Sequence, residues 1–203
     1  MGSGAARYAS RGGNEAGGVR TRLLDAAYTA IVSGRWSRMR MADIAAAADV
    51  SRQTLYNEFG SKEGLLQSVV VREAGGFLDG VMRILNGHEG EPSGAVSEAT
   101  RWILNAAADT PLIRAIITGD DELLPVLTTR ADPLHVELGE RMTDYLRRRW
   151  PVLGDRAEAI AEVALRLTLS YVLLPTDPDR AGERVELVVR SMLQACRGQT
   201  APS

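Results

Sequence analysis

Cysteine, lysine and aromatic residues are all scarce in this chain. A single cysteine, Cys196, stands among 203 residues, which rules out an intrachain disulfide and a cysteine-rich zinc site. Lysine occurs once, at Lys62, so the basic side chains are almost all arginine. No apolar run is long enough to span a bilayer; the longest, near residues 159–174, is broken by Glu162 and Arg166. The N-terminal residues lack the apolar core of a secretory signal, and a cytoplasmic location is expected. Enzyme signatures are missing too: there is no Gly-rich phosphate loop, no glycine-flanked nucleophilic serine and no metal-ligand cluster. Neither catalysis, nor a cofactor, nor a metal is therefore expected. His88 and His135 stand alone and read as surface or packing residues. Cys196 falls on the apolar stripe of the last helix, where a reactive thiolate is not expected.

What is present suits a folded chain with a sizeable core: 45% of the residues are hydrophobic and 25% charged. The net charge of -2 argues by itself against a nucleic-acid partner. Its distribution argues the other way. Residues 1–52 carry eight arginines against four acids, so that segment is basic and the remainder acidic. Such polarity suits a protein that presents one end to phosphate.

Almost all of the chain after Arg20 has helical periodicity, and the expected fold is all-α, with about nine or ten helices. Residues 1–18, rich in Gly, Ala, Ser and Arg, read as a flexible arm, either an inert tail or one whose Arg7 and Arg11 enter a minor groove. Leu23, Ala27 and Ile31 stripe a first helix that ends at Gly34. Met41 to Ala48 and Arg52 to Phe59 form two short helices, the second capped by Ser51. Ser61 caps a long helix with Leu66, Val70, Phe77, Val81 and Ile84 at helical spacing, interrupted by Gly75-Gly76, a pair that invites a bend. Asn86 to Gly94 reads as a loop. Thr110-Pro111, Asp132-Pro133 and Asp177-Pro178 each read as a cap followed by proline in the first helical turn. Pro151 and Gly154 separate two long helices. Val185, Val188, Val189, Met192 and Cys196 stripe the last one.

The stretch from Met41 to Leu66 carries the chemistry. Two short helices about a tight turn at Asp49-Val50 suit a helix-turn-helix, whose second helix enters the major groove. With Leu55 and Phe59 facing inward, Arg52, Gln53, Thr54, Tyr56 and Asn57 face outward. Arginine pairs well with guanine, and glutamine or asparagine with adenine, while tyrosine and threonine hydroxyls suit phosphate. Trp36 and Phe59 are expected in the core of the small domain.

The run Ile44-Ala45, Ala48, Val50-Ser51, Thr54-Leu55-Tyr56, Phe59, Ser61-Lys62-Glu63 and Leu65-Leu66 resembles the signature of the tetracycline-repressor (TetR) family. The match extends from Thr21 to Leu66. The resemblance implies an N-terminal three-helix DNA-binding domain (residues 19–64), a larger helical ligand-binding and dimerisation domain (65–197) and a short tail (198–203). It implies a homodimer on a double-stranded operator, contacts from Arg20, Arg40, Met41, Arg52, Gln53, Thr54, Tyr56, Asn57 and Lys62, and release by a small effector, with no membrane partner. Two positions depart from the family pattern. Asp49 replaces the usual turn glycine, and Arg40 stands where a Ser or Thr usually caps the helix starting at Met41.

The larger domain carries no comparable motif. The helix from Asp155 to Leu174 is apolar nearly all round and is expected to be buried on every side, its spare face by a second subunit. Arg166 within it reads either as an interface or snorkelling residue or as a carboxylate anchor. Trp102 reads as core or as cavity wall. Phe77, Met82, Ile103, Ile116, Met142 and Tyr145 are further candidates for a pocket that would take a hydrophobic or aromatic effector. The competing readings are a helical interaction protein that does not bind DNA and, less favoured, an enzyme.

Overall fold

A computed structural model describes residues 6–119 and 123–194, with side chains from Gly18 onward. Among these residues the chain is helical throughout. Helix α1 runs Ala6–Val32, α2 Met41–Ala47, α3 Arg52–Phe59, α4 Lys62–Gly87 and α5 Pro92–Ala108. There follow α6 Pro111–Thr118, α7 Asp132–Arg149, α8 Arg156–Leu173 and α9 Pro178–Gln194. Short 3-10 turns lie at Trp36–Arg38, Leu124–Leu127 and Pro151–Leu153.

The first helix departs from expectation. Its backbone is already helical at Ala6, where a flexible arm was expected, although Gly12, Gly13, Gly17 and Gly18 lower the helix propensity of this stretch. The side chains of Arg7 and Arg11, the tail 198–203 and Cys196 lie outside the described residues.

Helices α1, α2 and α3 pack on one another and on the first turns of α4. Leu23, Ile31, Ile44, Leu55 and Leu65 are completely buried there, and Trp36 and Phe59 close the same core. Gly34 ends α1 in the left-handed region (φ 66°), where glycine carries no Cβ penalty. The remaining helices build the second unit. α5 lies against α9, α7 against α8, and α4 packs on both α5 and α7. Gly182 permits the close approach of α9, because a Cβ there would stand 2.8 Å from the Arg101 side chain.

Two elements join the units. α4 belongs to both, and α6 packs on α1. Arg72 of α4 adds an ion pair to Asp25 of α1 at 2.7 Å and a second to its neighbour Glu73 at 2.9 Å.

The proline-marked boundaries follow the sequence with local differences. Asp177 caps α9 by accepting from Arg180 N–H. Thr110 precedes α6, but its hydroxyl donates back to Ala106 O, so it serves the end of α5 and gives no side-chain cap. α7 begins at Asp132, with Ala131 at the capping position, one residue earlier than expected. The loop expected from Asn86 to Gly94 shrinks to residues 88–91, because α4 persists to Gly87 and α5 starts at Pro92.

Candidate functional site

Helix α3 is eight residues long, about 12 Å at 1.5 Å per residue, and stands on a turn of defined chemistry. Asp49 takes φ 53°, the left-handed conformation that asparagine and aspartate adopt more readily than other non-glycine residues. The family's usual glycine is thus replaced without loss of the turn. Ser51 Oγ accepts from Thr54 N–H at 3.0 Å and satisfies one of the free donors of the helix start. At the start of α2, the missing Ser/Thr cap is replaced from within the helix: Asp43 Oδ2 accepts from Arg40 N–H at 2.7 Å. That is the reciprocal half of a capping box, and the carboxylate at the third helical position was a readable signal for it. Arg22 Nε donates to Ala48 O at 3.0 Å, pinning the end of α2 to α1.

The outward face of α3 carries Arg52, Gln53, Tyr56 and Asn57, all exposed. Gln53 Nε2 donates to Asn57 Oδ1 at 2.8 Å, so the two amides are held side by side on one helix face. Arg52 lies over the Tyr56 ring, 5.2 Å from its centroid. Thr54 is half-buried and its hydroxyl meets Ser51 Oγ at 2.8 Å, so it belongs to the cap as much as to the surface. Arg20 reaches the edge of this face from α1, where it pairs with Glu58 at 3.2 Å and lies 4.7 Å from the Phe59 centroid. Lys62, in the first turn of α4, sits 5.1 Å from the centre of the Trp36 ring. Arg40 is exposed. Met41 is not: its side chain is buried, because the first residue of α2 turns onto α1, and only its backbone remains available to an anion.

A second site lies inside the larger unit. A cavity of about 150 Å³ is walled by α4, α5, α6, α7 and α8, with Leu127 from the adjoining 3-10 turn. Of the residues proposed from sequence as pocket residues, Phe77, Ile103, Ile116 and Met142 line it. The other four do not. Trp102 lies beside Gly80, where the indole occupies the space that a Cβ would need, and meets Phe77 edge-on at 6.3 Å. Tyr145 turns outward, its hydroxyl donating to Asn86 Oδ1 at 2.7 Å. Burial raises its pKa, partly offset by Arg149. Arg166 is exposed and pairs with Glu162 one turn earlier at 2.9 Å. Met82 packs on the core away from the cavity. Trp102 and Arg166 thus take the core and surface alternatives the sequence left open, while for Tyr145 and Met82 helical periodicity fixes a side chain's face, not which neighbour that face meets.

The lining missed from sequence is mostly aliphatic, chiefly leucine and valine, with Ala74, Ala99, Ala107, Ala161 and Ala164 among them. Its polar members are Glu73, Thr100, Thr110 and Thr168. Thr100 Oγ1 donates to Val96 O at 2.9 Å and lies 3.3 Å from Thr168 Oγ1.

Helix α8 is less covered than its composition suggests. Val163, Leu167, Leu169 and Tyr171 are only half-buried, and Leu174 just beyond its end is 76% exposed. On α9, Leu187 is 64% and Val188 36% exposed, so Val188 leaves the apolar stripe formed by the buried Val185 and Val189. Among the described residues, no helix is long and apolar enough to cross a membrane.

A capped recognition helix on a three-helix base, joined by a shared helix to a larger helical unit, defines a two-domain helix-turn-helix DNA-binding regulator. Comparison with known proteins narrows the class. Residues 23–69 match the family described as bacterial regulatory proteins, tetR family, and residues 92–190 match the bacterial tetracyclin repressor, C-terminal domain. The HTH-type transcriptional regulator AlkX of Mycobacterium tuberculosis is 32% identical over 164 residues, 79% of this chain and 78% of that protein. The crystal structure of the TetR family repressor AlkX from a Dietzia species, implicated in biodegradation of n-alkanes, is 31% identical with a TM-score of 0.71, covering 85% of this chain and 97% of that one. The chain belongs to the TetR family of transcriptional regulators. The Thermus thermophilus FadR repressor complexed with lauroyl-CoA shares the fold at 21% identity (TM-score 0.60; 91% and 96% covered).

Proposed function

We propose that this chain is a cytoplasmic homodimeric repressor that leaves its operator when an apolar small molecule fills the cavity between α4 and α8. The observation that carries this reading is the position of α4. Its first turns pack on α3, and its later turns, from Val70 to Leu85, form one wall of the cavity. A ligand that moves this wall therefore biases the angle of the recognition helix, and release follows as a shift in population between two arrangements. The Dietzia AlkX, linked by its name to n-alkanes, supports an aliphatic rather than a charged effector.

Two copies associate through the exposed apolar face of α8 and α9, including Leu187, Val188 and the half-buried Leu167 and Tyr171. A twofold axis there presents two α3 helices at about 34–36 Å or a multiple, matching successive major grooves. Arg52, Gln53 and Asn57 read base edges; Arg20, Arg40, Tyr56 and Lys62 hold phosphates, with Thr54 at the border between cap and backbone contact.

Selection of bound fragments from a random duplex pool supplies the operator. On it, Lys62→Ala weakens binding to all sequences alike, whereas Gln53→Ala relaxes preference at particular base pairs. Both variants retaining the parent's affinity and specificity would refute the assigned surface, and a monomeric solution mass would refute the dimer.

A further inference from the structure

Many arginines of this chain are neutralised where they stand. Arg72 meets Asp25 and Glu73, Arg101 meets Asp179, Arg130 meets Glu63 and Arg141 meets Asp79. The turn between α1 and α2 is different. Arg35, Arg38 and Arg40 fall within six residues that include no acid, and all three are exposed. Among the described residues, no carboxylate pairs with the guanidinium of Arg35 or Arg38. Their placement follows from the local backbone. Arg35 is in the right-handed helical region (φ −102°, ψ −5°) and leads into the 3-10 turn Trp36–Arg38, which Arg38 N–H closes by donating to Arg35 O at 3.1 Å. Side chains three apart eclipse in that geometry, so Arg35 and Arg38 share a face, about 6 Å apart at ~2.0 Å per residue. Trp36 takes another face. It is 2% exposed and anchors the turn to the core, with its ring 5.1 Å from Lys62 Nζ. Arg35 Nε donates to Ser33 Oγ at 2.9 Å, which orients the guanidinium and leaves its terminal N–H groups to donate elsewhere.

Two guanidinium groups on one face, with no acid beside them, repel each other and attract a partner of repeated negative charge. Duplex DNA is such a partner, with one charge per about 1.7 Å of its axis. Position favours it over an acidic protein surface. The turn is fixed beside Lys62, on the side assigned to the operator. Arg40, two residues after Arg38, stands at the start of α2, the helix that crosses the DNA backbone in this motif. The base edges lie in the groove given to α3, so what remains for this turn is phosphate, which the arginine fork grips without reading sequence.

We propose that Arg35 and Arg38 form an additional phosphate clamp, which holds the operator backbone beside Lys62 in each half-site and adds affinity without sequence preference. The inference rests on the DNA-binding reading above. The experiment measures binding of the full-length protein to the selected operator between about 50 and 200 mM salt. With Arg35→Gln and Arg38→Gln together, the slope of log K against log salt flattens by about 3.6, from two arginines in each of two subunits at ~0.9 per phosphate contact. Each single substitution accounts for half of that change. Affinity falls by the same factor on the operator and on an unrelated duplex. Lysine at both positions keeps the slope. Arg83→Gln with Arg148→Gln, the same change of charge at exposed arginines of the larger unit, leaves it as in the parent. Neutral methylphosphonate linkages placed singly along the operator weaken the parent at the clamped positions and cost the Gln pair nothing there. The inference is overturned if either single variant keeps the parent's slope, if the Arg83 and Arg148 pair flattens it equally, or if the loss is confined to particular base pairs. Failure of the regulator reading has a different signature: the parent itself would bind no duplex at low salt, and the clamp would fall with it.

Discussion

Gly80→Ala sets two effects of opposite sign against each other within α4. Alanine is favoured over glycine in a helix interior by about 1 kcal/mol, so helix propensity alone predicts stabilisation. Space predicts the reverse. A Cβ at position 80 would stand 1.9 Å from Trp102 Cη2 and 2.5 Å from both Cζ2 and Cζ3, against the 3.5–4.0 Å of an ordinary carbon contact. The indole cannot yield freely, because its other edge meets Phe77 at the border of the cavity. Overpacking of this kind costs about 1–3 kcal/mol and occasionally more, and with a clash this deep the upper part of that range applies. The net expectation is destabilisation by about 1–2 kcal/mol, or a fall in Tm of about 2–8 °C for a chain of this size. Melting is followed by circular dichroism at fixed protein concentration, since a dimer's Tm depends on it. The same substitution made in a Trp102→Leu background has its obstacle removed and should raise Tm instead. A rise in the parent background, or a fall of equal size in both, would refute the reasoning.

Other perturbations test separate parts of the structure. Gly75→Ala with Gly76→Ala meets nothing closer than Arg141 Nη1 at 3.7 Å; the pair should raise Tm, through about 2 kcal/mol of helix propensity, and blunt effector response more than operator affinity without ligand. Equal induction would show that α4 does not bend there. Ser51→Ala removes the acceptor for Thr54 N–H, and a loss of about 1 kcal/mol per subunit should appear in chemical denaturation together with weaker operator binding. Glu58→Gln frees Arg20 from its ion pair and removes one negative charge from the recognition helix; binding should tighten and its salt dependence steepen, which filter binding at several ionic strengths reads directly. Above about pH 10, where an exposed tyrosine ionises, stability should fall as pH rises. The unfolded chain releases the Tyr145 proton first, because burial raises the folded pKa, and Tyr145→Phe should remove that component of the pH profile.

The DNA-binding unit was readable because its signals are local. The Asp49 turn, the Ser51 and Ser61 caps and the inward spacing of Leu55 and Phe59 each depend on residues within a few positions. Even the replacement for the missing α2 cap, Asp43, stood three residues from Arg40. The larger unit is governed by contacts between distant segments. Tyr145 meets Asn86 fifty-nine positions away, and Trp102 fills a space opened by Gly80 on another helix. Neither is encoded in the period of either helix. Arg166 is the exception, since its pairing with Glu162 follows a four-residue spacing visible in the sequence. The cavity was the least legible feature, because its leucines and valines lie on the same helical stripes as the core, and the alanines among them leave no mark in a search for large side chains.

The lone lysine has a practical use. Lys62 lies beside the Trp36 indole, next to the face assigned to DNA, and no second lysine competes with it for an amine-selective reagent. A dye coupled there in mild alkali would share its addition only with the chain's amino terminus. Since the same amine is proposed to hold a phosphate, bound operator should shield it, and the yield of coupling with and without duplex would report how far the helix-turn-helix is occupied.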